Sequence, residues 1–204
     1  MHLFLELTTL CFFLLCVVHA VGLRGGRGRR LMAMMMWLGF VRETFVVLAR
    51  YLYGYADLNL KLGVAPVIAA IIWGYSIYVA ICFAELVTKR DFGTVIEAGV
   101  RSRVAALWIG AASAFMICLV GFYEPFLELV GMARWEDGTL KTAGVPWIAC
   151  IGYPTLTAGF LVLWLSLERR WTGLQRLWGE VGGCVALALV HAWGLQVLKD
   201  GLAW

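Results

Sequence analysis

Glu43 is the residue of this sequence best suited to chemistry, because it lies inside a long apolar stretch. A charged side chain near the centre of a membrane costs about 2.5–3.5 kcal/mol on insertion scales, so it is kept for a reason. A buried carboxyl can donate a proton as a general acid, or it can be a structural hydrogen-bonding group or half of an ion pair. Arg42 is adjacent, but neighbouring side chains point about 100° apart on a helix. We therefore expect Glu43 to meet a different partner.

Other polar and aromatic residues belong with Glu43 if the chain crosses a membrane repeatedly, since they would lie at the same end of the bundle. They are Glu6, Tyr51, Tyr53, Tyr55, Asp57, Glu124, Trp135, Glu136, Asp137 and His191. The alternating tyrosines are typical of an interfacial belt, and equally of a pocket that stabilises a cation through its rings. His191 alone is more typical of a packed core histidine than of a ligand. The convergence predicts a site at this end.

Several kinds of chemistry lack their signatures in the sequence. There is no glycine-rich phosphate loop, no H-E-x-x-H and no G-x-S-x-G motif. The six cysteines all lie in apolar runs and form no C-x-x-C pair, which is typical of small packing residues. We therefore predict no metal and no cofactor. The basic residues lie in loops between apolar stretches, so we predict no nucleic-acid partner.

The elements that position these residues are predicted to be transmembrane helices. Hydrophobic residues make up 62% of the chain and charged residues only 15%, whereas soluble domains average about 45–50% and about 25%. The excess apolar surface must face lipid. Six stretches approach the length of about 20 residues that crosses a bilayer: 3–23, 31–49, 63–87, 104–123, 145–167 and 177–198. The sequence thus predicts an all-α, polytopic membrane protein, a single bundle of about six transmembrane helices over residues 1–204.

Details within this bundle are also predicted. The fourth span is expected to extend upstream as an amphipathic helix that begins at Asp91, which is a suitable N-cap. The small-residue steps Gly179–Gly183 and Gly110–Ala114 predict close helix contacts. Hydropathy shows no two similar halves of the kind that many transporters have.

Orientation follows from the lysines and arginines of the loops. The basic loops 24–30, 89–103 and 168–176 hold eleven such residues, whereas the loops of the opposite side hold five. Basic loops tend to stay in the cytoplasm. We expect a multi-pass protein with these three loops inside and both termini outside.

The stretch from Glu43 to Trp73 resembles a known family. After Glu43 come Leu52-Tyr53-Gly54-Tyr55 and Asp57, then Gly63-Val64-Ala65-Pro66 and Trp73. A second block has Glu124-Pro125, Gly131, Trp135, Gly144-Val145-Pro146 and Gly152. Both are similar to the carotenoid biosynthesis membrane proteins that include carotenoid 1,2-hydratases. The resemblance covers about residues 43–155. It departs from the family pattern where Glu124 replaces the usual aspartate and Gly152-Tyr153 lacks the preceding asparagine.

The resemblance implies a cofactor-independent lyase in a bacterial or archaeal cytoplasmic membrane. It would add water to the terminal double bond of an apolar carotenoid or other isoprenoid. Glu43 would then be the acid, and Glu124 or Asp57 would orient the water. The remaining residues would bind substrate: Tyr51, Tyr53, Tyr55, Trp73, Trp135 and His191. The partners would be membrane lipid and an apolar polyene that enters between helices.

Two other classes of function remain open at this stage. The chain can be a non-catalytic subunit that binds pigment or lipid together with other membrane subunits. It can also be a small transporter or channel, in which Glu43 and His191 line a polar path.

Overall fold

The fold is a helical bundle with three small pairs of strands at one end. The computed structural model describes residues 2–49, 53–55, 61–62, 65–135 and 139–202. The helices are α1 (His2–Ala49), α2 (Val67–Thr88), α3 (Phe92–Ala98), α4 (Arg103–Leu129), α5 (Trp147–Arg170) and α6 (Gly173–Leu202). The strands are β1 (Tyr53–Tyr55), β2 (Lys61–Leu62), β3 (Ala65–Pro66), β4 (Ala133–Trp135), β5 (Lys141–Thr142) and β6 (Val145–Pro146). The all-α prediction is confirmed, although the short strands were not foreseen.

The first helix contains both of the first two predicted spans. Gly25 has φ 55° and ψ −134° and breaks the helix between them. A Cβ on Gly28 would lie 2.0 Å from the carbonyl oxygen of Ala20, whereas residues eight apart in a straight helix are separated by about 12 Å. The two halves of α1 therefore fold back on each other as a helical hairpin, which turns at a glycine that tolerates positive φ.

Within the described ranges, five helices are long and apolar enough to cross a membrane. The first of them, over Leu3–Leu48, has 46 residues, and the reversal at Gly25 divides it into two passes. Large apolar side chains cover the outside of the bundle, with Phe122 81% and Trp193 64% exposed. Such a surface fits an integral membrane protein, because contact of apolar side chains with lipid is favourable and contact with water is not. We call the end with the six strands the aromatic end, and the end with Gly25, α3 and the α5–α6 turn the basic end.

The segment between α2 and α4 forms a separate short helix rather than an extension of α4. Asp91 caps α3 as predicted, because its carboxylate accepts from the Thr94 backbone N–H at 2.8 Å and from the Thr94 hydroxyl at 3.0 Å. These hydrogen bonds lower the pKa of Asp91 below its ordinary value. Gly99 ends α3 with φ 82°, and the Ser102 side chain caps α4.

The two predicted small-residue steps have opposite outcomes. A Cβ on Gly179 would lie 2.4 Å from the Trp171 ring, and one on Gly183 would lie 2.7 Å from Leu163 Cδ1. This step is therefore a real contact between α6 and the end of α5. The step at Gly110 is wrong, because nothing lies within 4 Å of a Cβ placed there.

The structure reveals an internal repeat that hydropathy does not show. Five residues around β2, β3 and the start of α2 recur eighty residues later around β5, β6 and the start of α5. They are Lys61, Pro66, Ile68, Ala69 and Ile71, followed by Lys141, Pro146, Ile148, Ala149 and Ile151. The helix starts recur too, since α2 begins at Val67 and α5 begins at Trp147. Hydropathy does not detect this repeat, because it averages over the few residues that recur.

Strand pairing shows how the two repeats are arranged. Lys61 pairs with Pro66 in the first hairpin, and Lys141 pairs with Pro146 in the second. Strands β1 and β4 pair antiparallel with Gly54 opposite Arg134, which are eighty residues apart. Gly54 and Arg134 occupy equivalent positions in the two repeats, so exchanging the two strands leaves this pairing unchanged. The contact surface of a symmetric dimer has the same property. The pairing of β1 with β4 is therefore symmetric about Gly54 and Arg134.

Candidate functional site

Glu43 is fully buried near the aromatic end and accepts two hydrogen bonds on one oxygen. The Trp73 indole N–H donates to Glu43 Oε1 at 2.6 Å, and the adjacent Arg42 guanidinium also donates to Oε1. The expected different partner is Trp73, but Arg42 also reaches Glu43, which was not expected. The long, flexible side chain of Arg42 compensates for the angle between adjacent helical positions, and the two charges form a buried ion pair.

Close helix packing brings Trp73 to Glu43. Gly39 lies one turn before Glu43 on the same face of α1, and a Cβ there would lie 2.6 Å from the Trp73 Cβ. The missing side chain lets α2 approach α1, as small residues do in membrane helix pairs. The Arg42 guanidinium also lies over the Trp73 ring, 5.3 Å from its centroid, where the ring attracts a cation.

Glu124 is the second buried carboxyl of the aromatic end and is only 4% exposed. The Tyr153 hydroxyl donates to its Oε1 at 2.6 Å, and the Trp135 indole N–H donates to its Oε2 at 2.7 Å. Both donors are neutral, in contrast to the guanidinium at Glu43. Residues of α4, α5 and β4 thus meet at one carboxyl.

The two acids belong to one cluster. The Trp73 and Tyr153 rings lie 4.6 Å apart between centroids, tilted by 39°, and each ring donates a hydrogen bond to the acid of its own repeat. We call Glu43, Glu124, Trp73, Trp135 and Tyr153, with Arg42, the paired-acid site.

A small cavity lies beside Glu124. Its lining includes Trp73, Glu124, Trp135 and Tyr153 together with apolar residues of α2 and α4, and its volume is about 20 Å³. That is room for about one water molecule. Glu43 does not contribute to the lining. The arrangement can hold a water next to one carboxyl among aromatic rings, and rings of this kind also stabilise a neighbouring positive charge.

The internal repeat explains the geometry of the paired-acid site. Trp73 and Tyr153 occupy equivalent positions eighty residues apart, and each bonds the acid of its own repeat. Glu124 lies one residue beyond the position equivalent to Glu43, and Pro125 follows it inside α4. The site is therefore the place where the two repeats meet, through the contact of Trp73 with Tyr153.

The predicted site residues are distributed unevenly. Trp73 and Trp135 contact the predicted acids. Strand β1, with Tyr53 and Tyr55, pairs with the strand of Trp135, but the side chains of these tyrosines lie outside the described part of the structure, as do Tyr51 and Asp57 entirely.

His191 lies beside the site rather than in it. Its Nε2 is 2.9 Å from the Gly152 carbonyl and 3.2 Å from the Thr155 hydroxyl, so it joins α6 to α5. It does not line the cavity. Glu6, expected near the interface, is fully buried.

Sequence reasoning missed Tyr153, which the resemblance recorded only as a departure from the family pattern. Its signal was available, because Tyr153 follows Pro146 at the same spacing at which Trp73 follows Pro66. An internal alignment of the two blocks finds it without a structure.

Sequence reasoning also missed a second set of ion pairs, at the basic end, in which two of the acids, Glu168 and Glu180, are buried. Glu168 accepts from Arg27 at 2.8 Å, from Arg176 at 3.0 Å and from Arg30. Arg30 also bonds Glu180 at 3.1 Å, and Arg24 bonds Glu85 at 2.6 Å. We call these seven residues the arginine cluster. The loop count used only lysines and arginines, so it did not consider the acids that pair with them.

Tyr153 and Glu168 are both on α5 and are separated by about 22 Å at the helical rise, so the two charged regions are distinct. Among the described residues, no group of three or more metal-binding side chains is placed to hold a metal ion. Comparison with protein families, curated proteins and solved structures finds no match for this chain.

Proposed function

We propose that the paired-acid site adds water to the terminal double bond of an apolar isoprenoid, with a carotenoid-like polyene as the substrate class. The observation that carries the proposal is a buried carboxyl, Glu124, beside a water-sized cavity that aromatic rings enclose. The family resemblance of the two sequence blocks agrees with it. Hydration of this kind needs an acid, a held water and a surface that tolerates a cation.

Glu124 is better suited than Glu43 to donate the proton. Glu43 is paired with the Arg42 guanidinium and does not line the cavity. Glu124 lines the cavity and accepts only from the neutral Tyr153 and Trp135 among the donors seen. We therefore assign the acid to Glu124, and we assign to Glu43 and Arg42 the positioning of Trp73.

The reaction balances without a cofactor. The Glu124 carboxyl adds its proton to the less substituted carbon of the double bond, which leaves a tertiary carbocation and a carboxylate. The rings of Trp73 and Tyr153 stabilise the cation. The held water then forms a carbon–oxygen bond with the cation and returns a proton to Glu124. The net change is the addition of one water.

The substrate has to reach the cavity from the lipid. The cavity lies between α2 and α4, and its apolar lining includes Ile68, Ile72 and Leu127. A volume of about 20 Å³ holds a water but not the end of a polyene. Entry of the substrate therefore requires α2 and α4 to separate at the aromatic end.

The test measures water addition by the full-length chain in membranes. Membranes that contain the wild type are incubated with an acyclic polyene bearing terminal isopropylidene groups in ¹⁸O-labelled water. We expect a labelled tertiary alcohol. Glu124→Gln should lower the rate by about 10²–10⁴-fold, the usual contribution of a general acid.

Glu128→Gln is the matched control. Glu128 lies one turn further along α4 and its side chain is 36% exposed, in a pair with Lys141, so its loss should leave the rate within about twofold. Full activity of Glu124→Gln would remove it from the mechanism. Tight polyene binding by the wild type without any labelled product would assign the chain as a binding subunit instead.

Transport is a second candidate, and the internal repeat favours it. Many transporters consist of two related halves with the substrate site at their interface, and the paired-acid site lies between two repeats. Reconstituted vesicles distinguish the two functions. Uptake of a polar solute that Glu43→Gln and Glu124→Gln both abolish, with no labelled alcohol, would favour transport.

A further inference from the structure

Three arginines line a groove at the basic end, separate from the arginine cluster. Arg101 follows α3, and Arg169 and Arg170 end α5, with all three side chains exposed. The groove has a volume of about 420 Å³, and its remaining lining is Ala98, Gly99, Val100, Leu165 and Ser166. No carboxylate is part of this lining.

These arginines differ from the arginines of the arginine cluster. Each of those, Arg24, Arg27, Arg30 and Arg176, contacts a glutamate. Among the described residues, none of the three groove arginines has an acidic partner within ion-pair distance. Three unneutralised guanidiniums around one groove attract an anion, and the planar donor fork of arginine matches the oxygens of a phosphate.

The groove is held in place by close packing. A Cβ on Gly99 would lie 2.1 Å from Arg169 Nη1, so the guanidinium rests directly on the backbone that leaves α3. This contact joins the α3–α4 connection to the end of α5. The groove is therefore built from two elements rather than from one flexible loop.

The surroundings of the groove favour a lipid over a free anion. Val162, Ser166 and Arg169 are four and three residues apart, so they lie on one face of α5. Val162 is 44% exposed and lies on the side of the membrane interior, whereas Arg169 and Arg170 are the last residues of the span. This face changes from apolar to basic where a phospholipid changes from acyl chain to headgroup.

We propose that this groove binds the phosphate of an anionic phospholipid, with the acyl chain along the Val162 face of α5. Basic pockets at the ends of membrane helices are suited to such headgroups. The ligand class is a phosphodiester lipid that carries net negative charge. This site is independent of the paired-acid site and does not rest on the hydration proposal.

Native mass spectrometry of the full-length chain tests the proposal. The protein in detergent is titrated with phosphatidylglycerol or phosphatidylcholine of the same acyl chains. We expect preferential binding of phosphatidylglycerol. The R101Q/R169Q/R170Q variant should weaken that binding by about tenfold or more, given the contribution of each basic residue near an anionic lipid.

The matched control is R29Q/K89Q/R90Q, which removes the same charge from exposed positions of the same end. It should change binding by about twofold at most, since these residues lie outside the groove. Equal losses in the two triple variants would overturn the proposal, because any surface charge would then serve. A second arm adds inorganic phosphate, and binding of phosphate alone with lipid-like affinity would show an anion site rather than a lipid site.

Folding of the variants is checked separately. The charge-retaining R101K/R169K/R170K variant should keep most of the lipid preference but lose part of it, because lysine lacks the planar fork. If the R101Q/R169Q/R170Q variant folds as the wild type does and still prefers phosphatidylglycerol to phosphatidylcholine as strongly as the wild type, the guanidiniums are not the cause of the preference, and the proposal fails.

Discussion

Each of the two repeats places an acid next to an aromatic hydrogen-bond donor, but only the first repeat pairs its acid with an adjacent cation. In the first repeat, Arg42 neutralises Glu43. In the second repeat, the residue before the acid is Tyr123, whose hydroxyl is 2.6 Å from the Tyr75 hydroxyl instead. One acid is therefore locked in an ion pair, whereas the other faces a cavity with neutral donors. Similar geometry in the two repeats therefore gives one acid held in an ion pair, Glu43, and one acid that lines a cavity, Glu124.

Removal of Arg42 should have the largest effect on stability. Arg42→Gln leaves Glu43 buried without its cation, which costs about 3–5 kcal/mol. Tyr123→Phe, the matched change before Glu124, loses one hydrogen bond and should cost about 1 kcal/mol. Unfolding in detergent, followed by tryptophan fluorescence, measures both.

The double variant R42Q/E43Q sharpens this result. Because a neutral buried pair often costs little relative to an ion pair, it should recover most of the stability that Arg42→Gln loses. Equal losses for Arg42→Gln and Tyr123→Phe would mean that the repeats do not differ in charge compensation.

An added methyl group should be tolerated less well in the packing next to Glu43 than at Gly110 in α4. Gly39→Ala places a Cβ 2.6 Å from the Trp73 Cβ and 3.2 Å from the Ala70 backbone, which should cost about 2–3 kcal/mol by overpacking. Gly110→Ala enters open space and should stabilise α4 by up to about 1 kcal/mol through helix propensity. The unfolding temperatures of the two variants should move in opposite directions, and a shift of the same sign would contradict the close approach of α1 and α2.

The two ring donors should differ by a smaller amount. Tyr153→Phe removes one hydrogen bond to Glu124 and should cost about 1 kcal/mol. Trp73→Phe removes a hydrogen bond to Glu43 and weakens the cation–π contact with Arg42, so it should cost about 2 kcal/mol. Denaturant titration of both variants tests this order. A larger loss for Tyr153→Phe would mean that Glu124, not Glu43, carries the structural role.

Asp91 lies between the repeats and should give the smallest effect. Loss of this N-cap in Asp91→Ala should cost about 0.5–1 kcal/mol at neutral pH. Because hydrogen bonds from Thr94 lower the pKa of Asp91 in the folded state, its contribution is present above the ordinary value of 3.8. It is lost as the pH falls through the lower folded value. Wild type and Asp91→Ala should therefore converge in stability at acidic pH, and a constant difference would contradict the cap.

The sequence predicts the helices well because long apolar runs and caps are local properties. The six spans and the Asp91 cap needed no knowledge of neighbours. The ion pair of Arg42 and Glu43 could not be predicted from helical angles alone, because its geometry depends on how a flexible side chain packs in three dimensions. Glu168 and Glu180 were missed for a related reason, since their burial depends on arginines from α1.

The candidate site was predicted in part. Glu43, Glu124 and Trp135 could be grouped because they lie toward the same end of the predicted bundle, whereas Trp73 was included only through the family resemblance. The assignment of separate roles to the two acids required knowledge of their donors. Tyr153 could be identified from the sequence only by recognising that the two blocks repeat each other, and hydropathy alone does not reveal that repeat.

The symmetric pairing of β1 with β4 has a consequence for biogenesis. The strand that follows α1 gains its partner only after residue 135 has left the ribosome. The Trp73 ring likewise meets Tyr153 only when α5 has entered the bilayer. During synthesis, the amino-terminal repeat is therefore only partly assembled in the lipid until the second repeat has been made. Throughout that interval, Arg42 neutralises Glu43 from the same helix.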